Sequence, residues 1–145
     1  MDKPLKNTKV QAILLDPVYQ QIKTIEFAGI TELYQVIKCD AIQGYKSYWA
    51  GLHNDEVMYF DEEALIKNTN ETRYAVGHSM LPLESVTPII GRVVICRVMP
   101  NGTHADTSLQ THEIGRLVRW YSIPPQNNRN RTTGNDNNNS KIILP

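Results

Sequence analysis

The chain has 145 residues, of which 41% are hydrophobic and 21% are charged, and its formal net charge is zero. These values are typical of one globular domain that buries a core without disulfide or metal crosslinks. The charge balance argues against a protein that coats DNA, because such proteins need an excess of Lys and Arg to neutralise phosphates. A local basic patch is compatible with zero net charge.

The first nine residues are polar and lack the apolar core of a signal peptide. No apolar run approaches the roughly eighteen residues that a membrane span needs. We therefore expect a cytoplasmic protein without a membrane partner. The two cysteines, Cys39 and Cys96, lie beside apolar runs, so we expect buried, reduced thiols.

The first half of the chain predicts two hairpins and a helix. Residues 10–15 form a branched apolar run, an Asp-Pro pair follows, and residues 21–27 resemble a partner strand. Apolar residues at helical spacing predict a helix over 30–37, with Thr31 as its N-cap. Residues 45–60 predict a second hairpin, and 62–67 a helical turn.

The second half begins with weak periodicity over 68–88, which predicts a long loop with some extended structure, and loops of that length inside a domain are often functional. The β-branched run over 89–99 predicts one central strand covered on both faces. From Thr111 onward, apolar residues at helical spacing as far as Tyr121 predict an amphipathic helix. The Asn-rich segment that follows has a composition typical of disorder. A short apolar segment, Ile142 to Leu144, follows it.

These elements predict an α+β fold with a small mixed or antiparallel sheet of about five strands and two or three short helices. We expect a polar lead-in over 1–9, a single domain over 10–122 and a disordered Asn-rich tail over 123–145. An uncovered strand edge would allow pairing with a second copy, so a homo-oligomer stays open.

Several segments occur in an order that resembles a family of uncharacterised phage and mobile-element proteins, the domain of unknown function numbered 3846. The resemblance lies in "AILLDP", "IKTIEFAG", "LYQVIKCD", "VMYFDEEALIK" and "PIIGRVVICRVMPNGTHAD", and it covers roughly residues 10–120. It implies a small α+β domain and a location in the host cell if the chain is phage-encoded. Small accessory proteins of that setting inhibit host defences by binding proteins, nucleic acids or signalling nucleotides. The resemblance brings no catalytic residue.

One group of residues has metal-ligand chemistry. His104 and Asp106 precede His112, and imidazole and carboxylate groups can bind a divalent cation. A metal-dependent enzyme that uses these three residues is therefore one hypothesis. The alternative is a polar cluster around an exposed turn and helix start. The zinc-protease pattern fails, because Arg116 stands where a second His is required.

A second group interleaves aromatic rings with a cation. Tyr45, Tyr48 and Trp49 surround Lys46, and such rings can stack on the bases of single-stranded nucleic acid. On a strand, Tyr45 and Trp49 would lie on one face and Tyr48 on the other, which divides the platform. Core packing is the favoured interpretation, and a single-strand binder is a less favoured alternative.

A third group lies in the predicted loop, where Arg73, Tyr74, His78 and Ser79 could grip a phosphate or a nucleotide if they converge. Arg92 and Arg97 would join them if the loop folds over the central strand. Exposed loop residues are the alternative.

The chain contains neither a Gly-x-Ser-x-Gly elbow nor a Walker loop. We therefore expect a non-enzymatic binding protein without a cofactor. Its partner would be a protein or a small nucleotide-like ligand.

Overall fold

Nine β-strands form two antiparallel sheets in the part of the chain that this computed structural model describes, which is residues 9–46, 49, 52, 55–79 and 88–126. The first sheet contains, in spatial order, β2 (Gln21–Phe27), β1 (Val10–Asp16), β7 (Val93–Val98), β4 (Glu56–Asp61) and β3 (Ile42–Lys46), with β8 (His104–Ala105) beside β7. The second sheet contains β6 (Ile89–Ile90), β5 (Arg73–His78) and β9 (Val118–Ile123). The helices are α1 (Gly29–Ile37), α2 (Thr111–Gly115) and a 3-10 turn (Ala64–Ile66).

The first sheet is covered on both faces because apolar residues alternate sides along its strands. On one face, Leu14 and Val94 pack against Leu33 of α1. On the other face, Ile95 packs with Val76 of the second sheet. The described chain is therefore built as helix, sheet and sheet, with a hydrophobic core on each side of the first sheet.

The two predicted hairpins are confirmed. In the first, Asp16 pairs with Gln21, and its Oδ1 accepts a hydrogen bond from the Val18 N–H at 3.0 Å, as an Asp that initiates a turn does. In the second, β3 pairs with β4, and Tyr45 lies opposite Met58. The sequence-predicted partner strands therefore end within a few residues of the observed ones.

The predicted helix over 30–37 is confirmed, but its predicted N-cap, Thr31, is wrong. The helix begins at Gly29, and Ala28 is the cap residue. The carboxylate of Glu32 accepts a hydrogen bond from the Ala28 N–H at 2.8 Å, so an acid within the first turn replaces the hydroxyl cap. The helix ends at Ile37, and the next residue, Lys38, has a left-handed φ of 64° and donates its N–H to the Tyr34 carbonyl.

Three further element predictions are correct only in part. The segment predicted over 68–88 as a loop with some extended structure contains the regular strand β5, whose alternation is hidden by buried Arg73 and His78 and by Gly77, and residues 80–87 of this segment lie outside the described residues. The single strand predicted over 89–99 is divided at Gly91, which adopts a φ of +91°. The residues before this glycine join the second sheet and those after it join the first.

The long amphipathic helix predicted from Thr111 ends at Gly115. The residues beyond it, Val118–Ile123, pair with the whole of β5 as an antiparallel strand. Valine and aromatic residues dominate this segment and favour a strand. Tertiary pairing therefore outweighs the apparent helical spacing, although Ile114 is buried as the helix prediction required.

The described fold is mainly antiparallel sheet with few helices, which agrees in outline with the predicted α+β class but has more strands than the predicted five. Cys96 is buried and Cys39 is partly buried, and both thiols are free. Burial raises the pKa of Cys96 to about 12. No helix among the described residues is long and apolar enough to span a membrane.

Candidate functional site

A cavity of about 180 Å³ opens where the C-terminal end of α1, the end of β4, the 3-10 turn and the β6–β7 junction meet. Gly91, at the junction of the two sheets, forms part of its wall. The charged residues in its lining are Lys38, Asp61, Lys67, Arg73 and Arg92. We call this cavity, defined by these five residues, the cationic pocket. Four basic side chains face one carboxylate here, although the whole chain is neutral.

Arg73 is the most buried cation of the pocket, with 8% of its surface exposed. Its Nη1 donates to the Leu65 carbonyl at 3.0 Å. Its Nε has no hydrogen-bond partner among the described residues. A buried donor without a partner costs free energy that a bound acceptor would recover. The unsatisfied side of this guanidinium is therefore suited to an anion.

Arg92 is held in place by two protein contacts. Its Nη1 donates to the Val36 carbonyl at 2.9 Å, near the end of α1. Its Nη2 lies 3.3 Å from Asp16 Oδ2. The first contact satisfies a carbonyl of the last helical turn and offsets the negative end of the helix dipole. Arg92 therefore forms a positively charged wall with a fixed orientation.

The two lysines of the pocket differ in their contacts. Lys67 Nζ lies 2.7 Å from Asp61 Oδ2, and this hydrogen bond is the largest cause of a raised pKa of Lys67. Lys38 is exposed at the end of α1. Asp61 also accepts a hydrogen bond from the Glu63 N–H at 2.9 Å. The carboxylate therefore holds Lys67 and the 3-10 turn beside the pocket.

A second cavity of about 120 Å³ adjoins the cationic pocket. Asp61, Ala64 and Ile90 line both cavities. The other lining residues are Glu62 and the apolar residues Phe60, Leu65, Pro88 and Ile89. We call this second cavity, defined by these four apolar residues, the apolar pocket.

The structure brings together only part of the third predicted group. Arg73 lines the cationic pocket with Arg92, but Tyr74 projects from the opposite face of β5. His78 is buried against Trp49, with ring centroids 5.4 Å apart. Ser79 Oγ donates to the Arg116 carbonyl at 2.8 Å. The expected convergence on a ligand therefore includes Arg73 and none of the other three side chains.

Arg97, the second arginine that this hypothesis named, lies elsewhere. Its Nε donates to Asp55 Oδ2 at 2.9 Å. This ion pair joins the neighbouring strands β7 and β4 near Glu56, which pairs with Arg97 in the sheet register. Arg97 is therefore part of the sheet and does not line the cationic pocket.

The aromatic group is divided, but not as the predicted alternation placed it, because β3 ends at Lys46 and Tyr45 and Trp49 do not share a face. Trp49 is 1% exposed and lies in the core, so its ring is closed to a base. Tyr45 is exposed and stacks on Phe60 with ring centroids 5.4 Å apart. Tyr48 lies outside the described residues. A stacking platform that needs Trp49 on the surface does not fit this arrangement.

The predicted metal ligands have separate environments. His104 Nε2 lies 2.9 Å from the Tyr59 hydroxyl, and Asp106 accepts the Gln11 N–H at 2.8 Å. His112 is exposed on α2. Within the described parts of the chain, no group of three or more His, Cys, Asp and Glu residues could hold a metal ion. The structure therefore does not assemble the predicted metal site.

His104 has a structural environment instead. Its ring packs edge-on against Phe27 at 5.2 Å and against Tyr59 at 5.6 Å. Burial lowers the pKa of His104 and raises the pKa of Tyr59 to about 12. Both side chains are therefore favoured in their neutral forms.

Comparison with known proteins gives no relative for this chain, since no family model, curated protein or solved structure matches it. The resemblance to the phage and mobile-element family stays a prediction.

Sequence reasoning missed Lys38, Asp61, Lys67 and Gly91 as site residues. Each lies at or near the end of an element, namely α1, β4, the 3-10 turn and β6. The only sequence signal was the recurrence of basic residues at such ends. Without the order of the strands, nothing indicated that these ends meet.

Proposed function

We propose that this chain is a non-enzymatic binding protein that holds the phosphate group of a small ligand in the cationic pocket. The observation that supports this proposal is the buried guanidinium of Arg73, which lines a pocket with four cations and whose Nε is unsatisfied among the described residues. A phosphate would accept from Arg73 and would offset the charge that the lining concentrates.

Phosphate fits this lining better than a carboxylate does. Arg73 and Arg92 offer planar donors, and Lys38 and Lys67 offer ammonium groups around the same cavity. A phosphate carries more charge and more acceptor oxygens than a carboxylate, so it can use several of these donors at once. Among the residues that line the cationic pocket, Asp61 is the only acid, and Asp16 pairs with Arg92 from outside this lining.

The setting implied by the family resemblance agrees with sequestration of a nucleotide-like ligand. Under this proposal the protein acts in the cytoplasm of its host by removing such a ligand from solution. Inhibition of a host defence and binding of a protein partner belong to the same proposal. They rest on the resemblance, whereas ligand binding rests on the cationic pocket.

Calorimetric titration of the full chain with inorganic phosphate tests the proposal. We expect saturable binding that Arg73→Gln weakens about tenfold or more, because a charge-assisted hydrogen bond contributes about 1.5–3 kcal/mol. Arg73→Lys should give an intermediate affinity, since it keeps the charge and loses the planar donor set.

The controls separate binding from folding. Lys38→Gln alters an exposed side chain of the pocket and should weaken phosphate binding without lowering the unfolding temperature. Arg119→Gln removes an exposed arginine of β9 outside the pocket and should leave the affinity unchanged. Equal affinities in wild type, Arg73→Gln and Lys38→Gln would contradict the proposal.

A further inference from the structure

We infer that the ligand is a phosphate monoester of a flat, apolar ring, the chemical class of the aryl phosphates, and that its ring occupies the apolar pocket. This inference rests on the proposed function, because it places the phosphate in the cationic pocket. It adds the identity of the group attached to the phosphate and a second set of contacts.

The two pockets are adjacent parts of one surface. Asp61, Ala64 and Ile90 line both of them, so the two cavities meet at these three residues. Leu65 contacts both sites, because its carbonyl accepts the hydrogen bond from Arg73 and the residue lines the apolar pocket.

The volumes favour one ligand that fills both pockets. The cationic pocket, at about 180 Å³, is smaller than the roughly 300–1,000 Å³ of typical small-molecule sites. The apolar pocket adds about 120 Å³, and together they reach the lower end of that range. A free phosphate would leave the second volume unused.

The lining of the second volume is suited to an apolar ring. Phe60, Pro88 and Ile89 provide apolar surface, Leu65 is 62% exposed, and Asp61 and Glu62 are the acids of this lining. A ring placed here would cover Leu65, and burial of apolar surface favours binding. A few charged groups at one end and apolar walls at the other are typical of small-molecule sites.

Phenyl phosphate and inorganic phosphate, titrated separately into the full chain, test the inference. We expect phenyl phosphate to bind about tenfold more tightly than inorganic phosphate. Leu65→Ser should abolish this gain, so that the two compounds bind this variant with equal affinity. Ile66→Ser is the matched control, because Ile66 is 78% exposed and lines neither pocket, and it should preserve the gain.

The outcomes distinguish the two proposals. Equal affinities for the two compounds, or a gain that survives in Leu65→Ser, would overturn the inference and leave phosphate binding intact. Failure of both compounds to bind the folded wild-type chain would overturn the proposed function as well. A gain lost in Leu65→Ser, retained in Ile66→Ser and accompanied by weaker binding of both compounds to Arg73→Gln would support both.

Discussion

Arg73 and Arg92 line the same pocket but differ in how far protein acceptors satisfy their guanidinium groups. Arg92 is occupied by the Val36 carbonyl and by Asp16. Arg73 has only the Leu65 carbonyl on one side and an unsatisfied Nε on the other, within the described structure. Burial makes the second arrangement costly unless an acceptor binds. The affinity of the pocket should therefore depend on Arg73 more than on its other cations.

Asp61 provides a prediction in the opposite direction. Its carboxylate holds Lys67 at 2.7 Å and lines the pocket that we expect to receive an anion. Asp61→Asn removes the repulsion of the ligand and frees Lys67 to bind it, while an amide oxygen can still accept from the Glu63 N–H. Phosphate should bind several-fold more tightly to this variant in a calorimetric titration. Weaker binding would show that Asp61 positions Lys67 for the ligand.

His104 should make stability depend on pH. Burial lowers its folded-state pKa below the usual 6.5, so below about pH 6.5 the unfolded state binds a proton more readily than the folded state does. The free energy of unfolding attributable to this group is therefore retained above that pH and falls as the pH drops below it. Urea unfolding from pH 7.5 to 4.5 measures the loss.

Two variants identify His104 as its source. His104→Gln keeps a polar partner for the Tyr59 hydroxyl and should reduce the loss of stability on acidification. His112→Gln alters an exposed histidine in the same way and should keep the wild-type profile. If the two variants lose stability in parallel with wild type, His104 is not the responsible group.

At the scale of elements, the sequence indicated local structure well where polar breaks and alternation agree. The Asp-Pro pair at Asp16 marks the first hairpin, and the spacing of Leu33 and Ile37 marks α1. The second sheet was not predicted because the residue patterns of two of its strands suggested a loop and a helix. β5 buries Arg73, and β9 has apolar residues that also fit a helix. Only long-range pairing between β5 and β9 decides these cases.

The site was predictable to a smaller extent. The residue types around Arg73 indicated anion binding, and Arg92 was expected nearby. Because side chains alternate along β5, Tyr74 lies on the opposite face of the strand from Arg73. A loop prediction contains no such alternation. The lysines at the ends of α1 and of the 3-10 turn join the site only through the order of the strands.

Gly91 connects the two sheets and gives a prediction about this junction. It has a φ of +91°, and Gly102 in an exposed turn has a φ of +90°, so alanine at either position strains the backbone. An added Cβ would meet no atom within 4 Å at either site, which leaves the backbone as the common cause. Each variant should lose about 1–2 kcal/mol of stability in urea unfolding.

Only Gly91→Ala should also weaken phosphate binding, because Gly91 lines the pocket and precedes Arg92. Gly102→Ala, with matched strain outside the pocket, should bind as wild type does. Equal binding by the two variants would show that the β6–β7 junction does not set the geometry of the site.

At the scale of the whole molecule, Glu56 ties the first sheet to the segment that leads into α2. Its fully buried carboxylate accepts from Thr107 Oγ1 at 2.8 Å, from the Ser108 N–H at 2.9 Å and from Ser108 Oγ at 2.8 Å. Its charge is therefore satisfied by three donors from one segment. This arrangement is structural and lies apart from the cationic pocket.

Glu56→Gln should lower the free energy of unfolding by about 2–3 kcal/mol, because an amide replaces a charged acceptor and turns one donor towards others. Glu26→Gln makes the same chemical change at an exposed position of β2 and should stay within about 0.5 kcal/mol of wild type. Chemical denaturation measures both. A Glu56→Gln variant as stable as Glu26→Gln would contradict this role.

The central claim is that an anion binds at Arg73 Nε, and nuclear magnetic resonance of the arginine Nε–Hε groups tests it most directly. In the ¹⁵N-labelled full chain, the Arg73 signal is the one that disappears in Arg73→Lys. We predict that this signal shifts and saturates as inorganic phosphate is added, while the signal of Arg119 stays in place. An Arg73 signal that does not move with phosphate, in a chain that remains folded, would contradict the account.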